Sequence, residues 1–293
     1  MDRKEFLRKT MLTGTVAALA PAIAQAGTPP AEPSTYDRLM EQVGFNHLPN
    51  QERKTMNTVL HQAATRGHAN HGWLNSHHSF SFANYHNPER MHFGVLRVLN
   101  DDRVAAGRGF GTHPHDNMEI ISIPLEGDLE HKDSMGNLGV IKQGDIQVMS
   151  AGTGIFHSEY NKNEDREVKF LQIWVFPNKK QVTPRYDQIT IDQGKMKNQF
   201  YQVLSPNAED EGVWIHQNAW FHMGEFDAGT TTNYQLKDSR NGVYAFVIDG
   251  KVTVDGQELN PRDGFGLWDT PNFDFQANSA AKVLLMEVPM NLN

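Results

Sequence analysis

The sequence predicts an all-β chain folded as two similar β-barrels in tandem, with few short helices. Three observations predict it. From Phe93 onward, short apolar runs alternate with turn residues: FGVLRVLN, MEIISIPLEG, DIQVMSAG and VKFLQIWVF, then GVYAFVIDGKVTVDG, FGLWD and KVLLMEVP. An apolar run that meets an acidic-Gly turn and continues as a second strand occurs twice, at IPLEGDLEH (123–131) and FVIDGKVTV (246–254), which is a repeated hairpin signature. The length, 293 residues with 38% hydrophobic content, suffices for two domains with a core each.

Along the chain, residues 1–26 read as an export signal peptide. They have a charged start, a mild apolar run from Thr10 to Ala24, and an A-x-A cleavage site at Ala24-Gln25-Ala26. Arg3-Lys4-Glu5-Phe6-Leu7 resembles the twin-arginine export motif with its second Arg replaced by Lys, so ordinary Sec export is the other route. The run is too short and weak to span a bilayer. The expectation is a periplasmic protein with no stable membrane association after cleavage, or a cytoplasmic one if the leader does not function. Residues 27–76 begin with the Pro-rich linker GTPPAEPS, followed by a short helical extension in which Asn50 caps QERKTMNTVLHQAA. Residues 77–190 are assigned to the first barrel and 191–293 to the second. The boundary falls where the sequence turns polar and Pro184 interrupts it.

Composition excludes several function classes. A net charge of -8 argues against a nucleic-acid surface, which needs clustered Lys and Arg. The absence of cysteine removes thiol catalysis, disulfides and Fe–S clusters. The sequence has no G-x-S-x-G elbow, and GRGFG (107–111) lacks the helix and the Lys-Ser/Thr ending of a phosphate loop.

The chemistry points to GTHPHDNMEI (111–120). Residues two apart on a strand share a face, so His113 and His115 aim one way and Pro114 the other. Pro114 cannot donate a ladder hydrogen bond and marks an edge or bulge. GTGIFHSEY holds a second pair at the same spacing, His157 and Glu159. Facing strands would turn three imidazoles and one carboxylate toward one interior point. That donor set suits a first-row divalent metal and leaves two positions of an octahedral ion open. A lone H-x-H is as often a solvated pair; the two pairs together favour metal. His131 follows a hairpin turn and faces either the interior or solvent.

These residues resemble a known family. Gly107, five residues, then His113-Pro-His115-x-x-x-Glu119 follows the first cupin motif. GDIQVMSAGTGIFHSEYN (144–161) follows the second as bacterial pirins write it. SFSFANYHNPERMHFGVLRVLNDD and FLQIWVFPNKKQVTPRYDQ also resemble pirin sequence, most specifically from His77 to Gln188. The resemblance implies a bicupin, two cupin-type (double-stranded β-helix, jelly-roll) barrels, with one metal site in the first. By position the ligands would be His113, His115, His157 and Glu159. In pirins the carboxylate role passes to the Glu after the second-motif His, so Glu119 is expected beside the site, as a catalytic proton acceptor or a supporting group. Aligning the two acidic-Gly turns puts Leu236 and Asp238 where the first half has His113 and His115, and no histidine follows His222, so the second barrel lacks a site. The resemblance further implies a monomer that uses Fe(II) and O₂ to open a flavonol such as quercetin, with Mn, Ni, Cu, Co or Zn also compatible with the ligands. The other implied function is an iron-dependent, redox-responsive protein-binding module with no turnover of its own.

Overall fold

The computed structural model describes residues 56–292. Among them are strands and two single-turn 3₁₀ segments, Ala63–Thr65 and Gln193–Met196, with no α-helix. Each barrel pairs a seven-stranded sheet with a four-stranded one. In spatial order, the large sheet of the first barrel is Arg185–Thr190, Asp145–Ser150, Glu119–Glu126, Val168–Val175, Leu96–Val104, Leu74–His78 and Gly67–Asn70. Its small sheet is Gly109–His115, Ile155–Asn161, Leu129–Asp133 and Leu138–Ile141. The second barrel repeats the plan. Its large sheet is Asn57–His61, Gly264–Trp268, Asn241–Asp249, Ala281–Pro289, Trp220–Phe226, Tyr201–Ser205 and Val213–Trp214; its small sheet is Thr231–Gln235, Asn272–Ala277, Val252–Val254 and Gln257–Leu259. This is the expected all-β class, two jelly-roll barrels in tandem.

Burial explains the two kinds of sheet. Small-sheet strands alternate, as in Ile155–Asn161 and Asn272–Ala277, because one face meets the barrel interior and the other meets water. Large-sheet strands such as Asp145–Ser150 are buried throughout. Their outer faces form one core shared by both barrels, where Leu99, Ile121 and Ile173 of the first meet Phe221, Phe246 and Met286 of the second.

The helix expected after Asn50 does not form over the described residues. Asn57–His61 is instead an edge strand of the second barrel, antiparallel to Gly264–Trp268. Thr58 and Val59 are β-branched, and the sheet edge supplies the backbone partners a helix would otherwise provide. Val59 packs on the shared core and Leu60 on the second barrel's interior, opposite sides as strand geometry requires. Gly67–Asn70 and Leu74–His78 join the first barrel, so the supposed extension is divided between the two sheets. Residues 27–55 lie outside the described residues.

The barrel interiors differ. The second is one apolar cluster that includes Phe226, Tyr234, Phe273 and Phe275, with ring pairs such as Phe226–Phe275 at 4.6 Å. The first is layered. Along Val168–Val175, Phe170 packs with Leu129, Ile141 and Val168. Trp174 packs with Ile120, Met149 and Ile155. Gln172, between them on the same face, is hydrogen-bonded to Ser122 and Glu159. A buried polar layer therefore crosses the first barrel between two apolar ones.

Candidate metal centre

His113, His115 and His157 meet in that layer. One ring nitrogen from each lies within 4.8 Å of the others. Their ring centroids are 4.4 Å (His113–His157), 4.9 Å (His113–His115) and 4.9 Å (His115–His157) apart. The small sheet explains the convergence, since His157 is directly cross-strand from His113 and Ile155 from His115. His113 and His115 are half-buried and His157 is buried, so the cluster opens toward solvent on the first-motif side.

Glu159 shares the inward face of His157's strand and forms a second group with His131 and His157, again within 4.8 Å. A bulge between His157 and Glu159 pairs Glu159 across the strands with Phe110 rather than Gly111. Its two oxygens accept hydrogen bonds from Ser122 Oγ (3.0 Å) and Gln172 Nε2 (2.9 Å). Gly109 permits the close approach: a Cβ there would stand 2.2 Å from the Glu159 carbonyl oxygen. Gly109→Ala is therefore expected to push the strands apart. It should destabilise the protein by about 1–3 kcal/mol in chemical denaturation and weaken metal binding at the same time.

Electrostatics keep the imidazoles in donor form. Burial, then His113, lowers His115 to about 4. Burial, then the neighbouring histidines, lowers His157 to about 2. Both stay neutral at physiological pH and retain a lone pair. Nε2 of His115 and Nε2 of His157 are buried with no hydrogen-bond partner, a costly arrangement for a protein interior unless something accepts those electrons. Nδ1 of His113 lies 2.8 Å from the Gly111 carbonyl, which fixes its proton there and frees Nε2. Three imidazoles meeting at one point fit a divalent first-row cation, and Glu159, which groups with His131 and His157 rather than with His113 and His115, stands beside them.

Glu119 does not join this cluster. It shares a strand face with Ile121 and Ile123, which pack in the inter-barrel core, whereas Ser122 on the opposite face reaches Glu159. Its carboxylate accepts from Ser150 Oγ at 2.7 Å, and burial raises it to about 7. The expectation that Glu119 takes a proton at the site is corrected on this geometry. The residues the motifs did not name are Ser122, Gln172, Trp174, whose ring edge meets His115 at 5.0 Å, and the buried pair His131 and Asp133. A cleft of about 630 Å³ where the barrels meet is lined by Asn117, Met118, Phe176 and Asn241 and includes none of the imidazoles.

In the second barrel, Thr231–Gln235 takes the place of the first-motif strand. Tyr234 points inward there, its hydroxyl 2.9 Å from Glu287 Oε2 and 3.1 Å from His222 Nδ1. Leu236 and Asp238 lie just past its end.

Comparison with known proteins agrees with the geometry. Residues 58–175 match the Pirin family model, and residues 202–288 match the model described as the quercetinase C-terminal cupin domain. A quercetin 2,3-dioxygenase of Escherichia coli K12 is 44% identical over 232 residues, 78% of this chain and 98% of that protein. A pirin-like protein of Caulobacter vibrioides is 39% identical over 222 residues, 75% of this chain and 95% of that protein. The crystal structure of the E. coli pirin YhhW in complex with nickel(II) superposes with a TM-score of 0.75 at 42% identity, covering 80% of this chain and 99% of that one. These comparisons also correct the reading of residues 1–26 as a signal peptide of a periplasmic protein. The E. coli relative matches over nearly its whole length and leaves part of this chain without a counterpart, so it lends the leader no support; the segment lies outside the described residues.

Proposed function

The chain belongs to the pirin family of bicupins, and from that premise we propose that it is a divalent-metal-dependent dioxygenase acting on a flavonol-like substrate, with quercetin as the model compound and Fe(II) as the working ion. The observation that carries this reading is the convergence of His113, His115 and His157, two of them with unpartnered buried Nε2 atoms, beside the buried carboxylate of Glu159. The relatives named quercetin 2,3-dioxygenase and the nickel-bearing pirin support it. When bound, the cation would lower the pKa of a hydroxyl it contacts and supply the redox chemistry.

The protein's own residues do the rest. The three imidazoles fix the cation's position. Ser122 and Gln172 orient the Glu159 carboxylate. The apolar layer of Ile120, Met149 and Ile155 excludes water beside His115, and the half-buried Trp174 packed on it offers a face for a flat ring.

Glu159 gives the site a pH signature. Burial raises its carboxyl to about 7 from 4.5. Without a cation it holds a proton between those values while the unfolded chain does not. Its contribution to the stability of the metal-free fold is thus complete below about 4.5 and lost as pH rises through about 7. A cation needs the carboxylate and displaces that proton. Metal titration in weak buffer is expected to release protons below pH 7 and progressively fewer above it. Glu159→Gln should remove this pH dependence; an unchanged release profile in that variant would assign the proton elsewhere.

The activity is tested by loading the protein anaerobically with Fe(II) and following O₂ uptake on adding quercetin. Uptake well above that of free iron supports the enzyme. Tightly held metal with no uptake would refute this substrate and favour the redox-responsive binding module.

A further inference from the structure

Two buried residues behind His157 lie outside the three-imidazole cluster. His131 and Asp133 lie on the neighbouring strand, His131 cross-strand from Glu159 and Asp133 cross-strand from His157. His131 is fully buried. Its Nε2 is 3.2 Å from Asp133 Oδ2, and its Nδ1 is 3.5 Å from Nδ1 of His157, a long contact.

Proton bookkeeping along this row leaves one consistent arrangement. Asp133 is already an acceptor: it takes the backbone N–H groups of Met135 and Asn137 and the side-chain amide of Asn137. A carboxylate so surrounded calls for a donor from His131, which places the His131 proton on Nε2. Neutral His131 then presents a lone pair at Nδ1. That lone pair faces His157 Nδ1 and favours the form of His157 with its proton there. The remaining nitrogen of His157 is Nε2, the buried atom with no hydrogen-bond partner. His113 reaches the same tautomer by a shorter route, through the carbonyl of Gly111.

We propose that Asp133 and His131 form a positioning relay that fixes His157 in its Nδ1–H tautomer and keeps its Nε2 lone pair presented to the cation. The proposal rests on the metal-site reading and adds to it. Neither residue touches the cation or the substrate; both act through His157. Partners that orient a ligating imidazole typically carry about 10–100-fold of the metal affinity.

The first test needs no variant. The ¹⁵N shifts of the His157 side chain in the metal-free, full-length protein, in mildly alkaline buffer, are expected to show the proton on Nδ1. An Nε2–H tautomer would overturn the relay. The second test is nickel(II) affinity measured by competition. His131→Leu should weaken binding by about 10–100-fold. His131→Asn, whose side-chain oxygen can accept from His157 Nδ1, should recover part of the loss. Adding Asp133→Asn to His131→Leu should cost little more, since the two residues act in series. Equal affinity of wild type and His131→Leu would refute the relay. If His131→Leu does not fold, the wild-type tautomer decides. If the wild type binds no nickel(II), the metal-site reading fails, and the tautomer still decides the relay.

Discussion

His157→Ala is expected to bind divalent metal at least about 100-fold more weakly than the wild type, taking a ligand's share of a four-ligand site as about 3 kcal/mol. Its side chain is the hub of the site: it meets His113 and His115 on one side and His131 on the other, and it belongs to both groups of donors. The variant also removes an imidazole that burial keeps neutral down to about 2. The unfolded chain takes up that proton below the ordinary histidine value of 6.5 and the folded chain does not, so the wild-type apoprotein loses stability as pH falls from 6.5. The variant should therefore lose less stability on acidification than the wild type. Isothermal titration with nickel(II) and denaturant unfolding across that pH range check both effects. Undiminished affinity would remove His157 from the ligand set.

Phe246→Ala is expected to lower stability by about 3–5 kcal/mol and to do so for both barrels together. Phe246 is fully buried on a strand of the second barrel, yet it belongs to the core that also contains Leu99, Ile121 and Ile173 of the first. The guanidinium of Arg66, 5.8 Å from its ring centroid, reaches it from the chain segment between the edge strand and the first barrel. Arg66 also lies 3.3 Å from Asp101 of the first barrel, and Arg262 of the second lies 3.4 Å from the same carboxylate. With the larger faces of both barrels committed to one core, neither can shed its partner without exposing it. Calorimetry should show a single transition that moves to lower temperature in the variant, and metal release should coincide with it. Two separated transitions would mean that each barrel stands alone.

The strands that carry the imidazole cluster were legible in the sequence because a strand has a period of two. His113 with His115, and His157 with Glu159, can be placed on common faces by counting alone. The cupin motif places Glu119 beside the site, the structure does not, and the reason is local. The strand Gly109–His115 stops at His115, Asn117 turns the chain with φ at 44°, and the next strand starts at Glu119 in the other sheet. Parity does not carry across such a turn, so a carboxylate four residues past His115 ended on the far face, against the second barrel. The strand Asn57–His61 was misread for a different reason. Its partner, Gly264–Trp268, lies some two hundred residues away in the chain, and local capping signals carry no trace of that pairing. Ser122, Gln172 and His131 were legible only in part. Each sits inside a recognisable strand, but nothing in its neighbours' identities says that it meets Glu159 or His157. No histidine follows His222, and the strand of the second barrel that corresponds to Gly109–His115 turns the ring of Tyr234 inward into an apolar cluster.

The most direct test of the central claim is anomalous diffraction from crystals of the nickel(II)-loaded protein. One strong peak is expected inside the first barrel, about 2.1 Å from a ring nitrogen of each of His113, His115 and His157 and from a carboxylate oxygen of Glu159. A peak held by other histidines, such as the stacked pair His68 and His77 on the first barrel's outer strands, with none at the three imidazoles, would contradict it.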